Sequence, residues 1–284
     1  MKNDHFEQRM RKFENTNDYR LYPDMFTIAR IDGRNFSRLT RSDLKLKPFD
    51  ETIRNCMIET VKHLMDNTGF KCVFGFTQSD EISILFDSRY QVINNTFAGK
   101  IRKFNSILAS EASVKFSMLM NHHSVFDCRI IQLPTMELVQ DYFLWRISDS
   151  ERNCLNQWCY YLLINNDGLS ALRAQKTLDK QTIQWKNEYL FNNHGINFDK
   201  LPSWHKRGVG IYFMDYEKDG YNPITKQTVQ VIRRKLNVNL ELPRQNYKYS
   251  KLIAKLYDNI IITSKIKEKN NNKKNKLVVI RNEQ

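Results

Sequence analysis

Residues 70–86 read Phe70-Lys71-Cys72-Val73-Phe74-Gly75-Phe76-Thr77-Gln78-Ser79-Asp80-Glu81-Ile82-Ser83-Ile84-Leu85-Phe86. Two short apolar, aromatic-rich runs, Phe70–Phe76 and Glu81–Phe86, flank the polar tetrapeptide Thr77–Asp80, which is the pattern of a hairpin. An amphipathic helix precedes it: Asp50 can act as N-cap, Ile53, Met57, Val61, Leu64 and Met65 share a face, and Gly69 follows the end. A longer amphipathic helix follows it, marked by Phe97, Ile101, Phe104, Leu108, Ala112, Phe116 and Leu119. Outside those helices, Met25–Ile31 reads as a strand that stops at Asp32-Gly33, and Ser124–Leu133 as a strand that stops at Pro134.

The order is β-α-β-β-α-β, the ferredoxin-like split βαβ unit, with an antiparallel sheet and both helices on one face. The expected class is α+β, with a helical and β-hairpin C-terminal extension. Met136–Arg146, Leu155–Ile164, Leu169–Leu178 and Thr182–Phe191 read as separate helices. Gly208–Asp215 and Gln227–Arg234 read as a second hairpin turning through Lys218–Pro223. The expected organisation is residues 1–134 as the catalytic unit, 135–263 as the extension, and 264–284 as a basic Asn/Lys-rich tail, in which Leu277–Ile280 is a candidate short strand.

Composition narrows the function. With 284 residues, 41% apolar and 27% charged, the chain is ordinary globular material, which excludes wholesale disorder. No window holds about 18 consecutive apolar residues, so no membrane helix is expected. The first residues carry Asp4, Glu7 and Glu14 and no apolar h-region. That pattern suits neither a secretory signal nor a mitochondrial presequence, so an intracellular and preferably cytoplasmic location is expected. The net charge is +14, and only +5 of it lies in the tail from Ser264 onward. A field of that sign over the folded part favours a polyanion, most simply nucleic acid. Cys56, Cys72, Cys128, Cys154 and Cys159 are odd in number and form no CxxC pair, so reduced thiols are expected. No Walker-A, GxGxxG or GxSxG pattern occurs, and His63, His122 and His123 lack the spacing of a zinc site.

In the split βαβ topology the first strand lies beside the central hairpin. Asp32 and Asp80 therefore meet at one sheet edge, where two unpaired carboxylates repel. A hard divalent cation removes that repulsion, and Mg²⁺ needs few protein oxygens because water and substrate phosphates complete its shell. Two such ions about 3.5–4 Å apart serve phosphoryl and nucleotidyl transfer. Gly33, without a Cβ, lets its carbonyl approach a metal, and Glu81 opens an apolar strand with a carboxylate that folding does not require. Arg30, Arg34, Lys45, Lys47, Lys100, Arg102, Lys103 and Lys186 are cations available to a triphosphate. Trp204–Arg207 and Arg244–Tyr249 interleave aromatic and basic residues, as RNA-binding surfaces do, although buried aromatics give the same pattern.

These segments resemble a known family. Arg30-Ile31-Asp32-Gly33-Arg34-Asn35-Phe36 is similar to the RxDGRxF signature of the tRNA(His) guanylyltransferase superfamily. Lys47-Pro48-Phe49-Asp50 resembles its KPxD segment, Gly75–Glu81 its GxxQSDE hairpin, and Phe126–Arg129 its FDxR strand. Tyr142–Arg146 resembles its YxxWR helix, Lys186-Asn187-Glu188 its KNE segment, and Lys206-Arg207-Gly208 its basic turn.

The resemblance implies a polymerase- and cyclase-like palm and 3′-to-5′ nucleotide addition. Asp32, the Gly33 carbonyl and Asp80 would hold two Mg²⁺, with Ser79 and Glu81 supporting them. Arg30, Arg34, Asn35, Phe36, Lys47, Asp50, Ser79, Lys100, Lys103 and Lys186 would handle the triphosphate. Arg146, Arg152, Asn153, Lys206 and Arg207 would meet RNA. ATP, GTP and the other nucleoside triphosphates would be substrates, tRNA the partner, and a homotetramer (dimer of dimers) the assembly.

Two departures mark this chain. Where guanylyltransferases carry a HINNLYN-like motif, it reads Glu151-Arg152-Asn153-Cys154-Leu155-Asn156-Gln157, and Phe49 replaces the usual polar residue of KPND. The first departure points to the guanylyltransferase-like branch, which restores 5′-truncated tRNA by template-directed addition after ATP-dependent activation. The alternative is addition of G to tRNA(His) at position −1. A nucleotide cyclase on the same metal site gives the basic surface no purpose, and a module that only binds RNA leaves the carboxylates without one.

Overall fold

The structure is a computed structural model and describes residues 2–44, 46–88, 95–222 and 226–259. The chain runs α1 (Lys2–Glu14), β1 (Phe26–Gly33), α2 (Phe36–Arg38), α3 (Glu51–Asp66), β2 (Cys72–Gln78), β3 (Glu81–Phe86) and α4 (Ile101–Met120). It continues through β4 (Phe126–Leu133), α5 (Met136–Asn165), α6 (Ala171–Leu178), α7 (Ile183–His194), α8 (Ser203–Arg207), β5 (Val209–Asn222) and β6 (Gln227–Asn239). A final helix occupies 246–259. Lys45 and the tail from 264, with its candidate strand, lie outside the described residues.

All six strands join one sheet in the order β4-β1-β3-β2-β5-β6, and every pairing is antiparallel. The first four follow the split βαβ arrangement, with α3 and α4 together on one face. There Val61, Leu64, Phe104, Leu108 and Phe116 pack on Ala29, Ile31, Ile82 and Ile84. The sequence reading left the opposite face without helices. The structure covers it with the first half of α5 and the final helix, through Val139, Phe143, Tyr249 and Ile253 against Ile28, Phe74, Phe76 and Leu85. Burial on both faces explains why β2 and β3 read as unbroken apolar runs rather than as alternation.

Two expectations change. Met136–Arg146 and Leu155–Ile164 are not separate helices but one 30-residue helix. Its polar middle stays helical because Asp149 takes Arg146, Arg152 and Asn153 as partners at helical spacing. Thr135 caps its start by accepting the amide of Leu138. The second half of α5 leaves the sheet and builds a helical cluster with α6 and α7, in which Leu155, Cys159, Leu162, Ala174 and Leu190 are buried.

The second hairpin is also longer than expected. Lys218–Asn222 continue β5 rather than turning, and Asp215–Asn222 pair only with β6. The hairpin is not confined to the extension either, because Val209–Tyr212 pair with β2 and so lengthen the catalytic sheet. The N-terminal helix α1 had no counterpart in the sequence reading. Its Phe6 and Phe13 are exposed, so no apolar stripe faces a core.

Candidate active site

The register sets the site. Asp32 is the one carboxylate of β1, and its Cα partners are Glu81 on β3 and Asp127 on β4. Cross-strand partners share a face, so three carboxylates stand in a row at one sheet end. The β2–β3 turn is only Ser79-Asp80, with Ser79 at φ +57. This turn brings Asp80 against Gly33. A Cβ at Gly33 would lie 2.9 Å from the Asp80 Cβ and 3.3 Å from its Oδ2, so only glycine admits the carboxylate there. The structure thus brings Asp32, Gly33 and Asp80 together, as the topology predicted.

Their electrostatics diverge. Neither Asp32 nor Asp80 makes an ion pair with a described residue. Burial, and then the neighbouring Asp32, push Asp80 up to about 6, against a hydrogen bond from Ser79 that acts downward. Burial also raises Asp32, with Asp127 adding to it and Arg30 opposing it. Glu81 is different. Its Oε2 accepts from Arg30 Nη2 and Arg146 Nη1, both at 2.8 Å. Arg146 is buried, and the Nε atoms of both arginines have no hydrogen-bond partner among the described residues. Glu81 therefore ties β3 to β1 and α5. Tyr142 extends the same tie through a 2.9 Å hydrogen bond to Ser83.

A cavity of about 440 Å³ opens beside Asp80. Of the residues expected to handle nucleotide, Phe36, Lys47, Asp50 and Ser79 line it, and Arg30, Arg34, Asn35, Lys100, Lys103 and Lys186 do not. Asp50 caps α3 through the amide of Thr52 at 2.7 Å. Phe36 is core material, its ring among Phe116 and Phe126. Lys100 pairs with Asp18 at 2.7 Å, Lys103 is exposed on the first turn of α4, and Lys186 is half-buried on α7. Arg34 and Asn35 are exposed, Asn35 in the left-handed region it tolerates.

The far wall was missed by sequence reasoning. Gln157, Tyr160, Tyr161 and Asn165 of α5 complete it, and Arg41 sits over the Tyr160 ring at 4.4 Å. Their spacing of three, four and eight residues is a helical stripe. Nothing local in the sequence says that the stripe faces the 47–50 loop.

Three residues expected on the RNA surface, Arg146, Lys206 and Arg207, are corrected. Arg146 is 2% exposed and committed to Glu81 and Asp149. Lys206 is 7% exposed, and its Nζ donates to the carbonyls of Phe198 and Asp199 at 3.2 and 2.7 Å. Trp204 and His205 are buried with it, so the basic-aromatic run is an internal joint here. Arg207 is largely buried and pairs with Glu151 at 3.4 Å, whereas Arg152 is exposed and Asn153 donates to Asp149. His205 stacks between Phe49 and Trp158, at 5.0 and 6.1 Å between centroids. Burial, with Arg54 and Lys206 nearby, pushes its pKa down to about 4. Its carbonyl accepts from Gln78 Nε2 at 3.1 Å, which anchors the strand leading to Ser79-Asp80.

Known proteins are similar to this chain in sequence and fold. Residues 7–134 match the family model described as tRNAHis guanylyltransferase (Thg1), and residues 137–282 match that of the Thg1 C-terminal domain. A probable tRNA(His) guanylyltransferase of Bos taurus is 26% identical over 220 residues, covering 73% of this chain and 72% of that protein. A bacterial tRNA(His) guanylyltransferase (Thg1)-like protein solved in complex with ATP superposes with a TM-score of 0.66 at 28% identity, covering 87% of this chain and 98% of that one. The structure of such a protein in complex with GTP gives 0.65 at 28% identity, covering 89% and 99%. Matched from residue 7 to residue 282 by the two models of one family, the chain belongs to the tRNA(His) guanylyltransferase family.

Proposed function

We propose that this nucleotidyltransferase joins a nucleotide to the 5′ end of a tRNA on a palm-like sheet, with Asp32 and Asp80 at the reacting phosphates. The observation that carries this is the pair itself: two neighbouring carboxylates without an ion-pair partner among the described residues, beside a cavity that also presents Lys47. The donor set fits Mg²⁺. Among the described residues no cluster of three or more His, Cys, Asp or Glu side chains could hold a metal. Two carboxylates and the Gly33 carbonyl are nevertheless the sparse, hard-oxygen set that Mg²⁺ accepts when phosphates complete its shell. Bound there, two Mg²⁺ would neutralise the carboxylates and make a nucleotide 3′-hydroxyl more acidic.

The chain's own residues do the rest. Glu81, held by Arg30 and Arg146, keeps β3 in register so that Asp32 and Asp80 stay adjacent. Lys47 offers charge to the triphosphate. In the step itself, the nucleotide 3′-oxygen forms a bond to the 5′ phosphorus. Pyrophosphate leaves from a 5′-triphosphate, or AMP from a 5′ end first activated with ATP.

The names of the relatives favour G addition to tRNA(His). A specific feature favours template-directed repair as the second reading: Glu151 stands where the family's guanylyltransferase motif begins, and it is spent on Arg207. The deciding experiment uses a tRNA transcript lacking its first nucleotide and bearing a 5′-monophosphate. It is incubated with Mg²⁺, ATP and each nucleoside triphosphate in turn, and full-length tRNA(His) is run in parallel. G added to full-length tRNA(His) regardless of the opposing base supports the first reading. Addition only of the nucleotide complementary to the acceptor strand supports the second, and no addition to either RNA rejects both.

A further inference from the structure

Phe49 lines the cavity, yet its backbone sits at φ +58, in the left-handed region that a bulky residue rarely adopts. Such a conformation persists where the surroundings over-determine it. Here they do. One face of the ring lies on His205, with centroids 5.0 Å apart and planes 19° apart. His205 lies in turn on Trp158 at 6.1 Å and 23°. The edge of Trp204 closes one side at 6.3 Å. Phe49 is thus the top of a three-ring stack rooted in α8 and α5; partly buried against the core, it also lines the cavity. Its neighbours in the same loop, Lys47 and Asp50, line the cavity too.

Two other aromatic walls are already covered, and a third, Tyr161, stands edge-on to Trp158 at 6.4 Å. Arg41 covers Tyr160 at 4.4 Å and Arg54 covers Trp204 at 4.6 Å, whereas no cation lies over Phe49 among the described residues. The amides in the wall, Gln157 and Asn165, each carry both donor and acceptor groups, one Asn165 N–H being given to the Tyr161 carbonyl at 2.9 Å. They can meet any base edge without selecting one.

We propose that Phe49 is the stacking platform for the nucleobase of the bound nucleoside triphosphate, so that the cavity holds a base by its face rather than by its hydrogen-bonding edge. The inference rests on reading the cavity as the nucleotide site. It adds a residue that determines specificity by withholding it: every base has a π-face, so the choice of nucleotide falls to whatever pairs with it.

The test measures binding of ATP, GTP, CTP and UTP, each with Mg²⁺, to the full-length protein by titration calorimetry. Phe49→Asn removes the ring while tolerating a positive φ, so the loop keeps its path. Phe49→Tyr keeps the ring. The asparagine variant should weaken all four nucleotides about tenfold, and by amounts within about threefold of one another, the scale of one lost base–aromatic stack. The tyrosine variant should bind as the parent does. In the addition assay, KM for nucleotide should rise about tenfold in Phe49→Asn while KM for RNA is unchanged. Unchanged binding in Phe49→Asn, or a loss confined to one base, would overturn the platform while leaving the cavity as the nucleotide site. A parent protein that binds none of the four would overturn the nucleotide site, and the platform with it.

Discussion

The carboxylate edge at 30–33 and 79–81 and the basic joint at 203–207 both look functional in sequence, and the structure treats them oppositely. At the edge, Asp32 and Asp80 stand side by side with no ion pair among the described residues, and burial raises them both. At the joint, Lys206 has two carbonyls, Arg207 has Glu151 and Ser203, and the backbone of His205 has Gln78. Charge whose partners are all supplied from within the fold is there to hold it. Charge left without one is available to something else. Glu81 shows the rule inside the edge itself, since two arginines neutralise it three ångströms away.

The comparison predicts its largest effect at Asp80. Asp80→Asn should lower nucleotide addition about 10³-fold or more, because a charge-stabilising group at the reacting phosphate is gone. It should leave the melting temperature unchanged or raised, since a buried carboxylate without a cation disfavours the folded state. A large drop in melting temperature would show that Asp80 is structural. Glu81→Gln should act first on stability. It strips Arg30 and Arg146 of the carboxylate that pairs with both, and losing one partner of a buried pair costs about 3–5 kcal/mol. Denaturant unfolding measures it, and a change below about 1 kcal/mol would break the distinction between the two carboxylates.

Much of this edge was legible before the structure. The hairpin at 70–86 declares itself by two apolar runs around a polar turn, and the split βαβ order then forces Asp32 toward Asp80. The rest was hidden for identifiable reasons. Residues 148–153 are polar enough to look like a break, yet Asp149 supplies the helical partners that carry α5 through them. Lys218–Asn222 look like a turn because neither face of that ribbon is covered, so no hydrophobic alternation marks the strand. The inward aim of Lys206 depends on the carbonyls of Phe198 and Asp199, which offer no side-chain signature. The α5 wall of the cavity faces a loop about 110 residues earlier, and periodicity within α5 cannot announce that.

A smaller effect is expected at Lys206. Lys206→Met removes a charged donor from two buried carbonyls and should destabilise by about 1–3 kcal/mol. If the joint is internal, the slope of log affinity for tRNA against log salt should stay as in the parent, because no phosphate contact is lost. A true phosphate contact would reduce that slope by about 1.

An effect of the same order is a pH dependence seated at His205. Its folded pKa is near 4 against an ordinary 6.5, so the unfolded chain binds a proton that the folded chain refuses. The groups pressing on it are Arg54 and Lys206, both cationic, and its ring neighbours Phe49 and Trp158 carry no charge. Stability from this group is therefore whole above pH 6.5, falls as pH drops toward 4, and levels off below. Over that window the fall is at most about 3 kcal/mol. His205→Phe keeps a ring between Phe49 and Trp158 but cannot titrate. Subtracting its unfolding free energy from that of the parent at each pH removes the titration of every other group. The difference should favour the parent least near pH 4 and be flat above pH 7. A difference that is flat throughout would mean that the imidazole is hydrated rather than sealed in the joint, and the contrast between an open edge and a satisfied joint would fail at this residue.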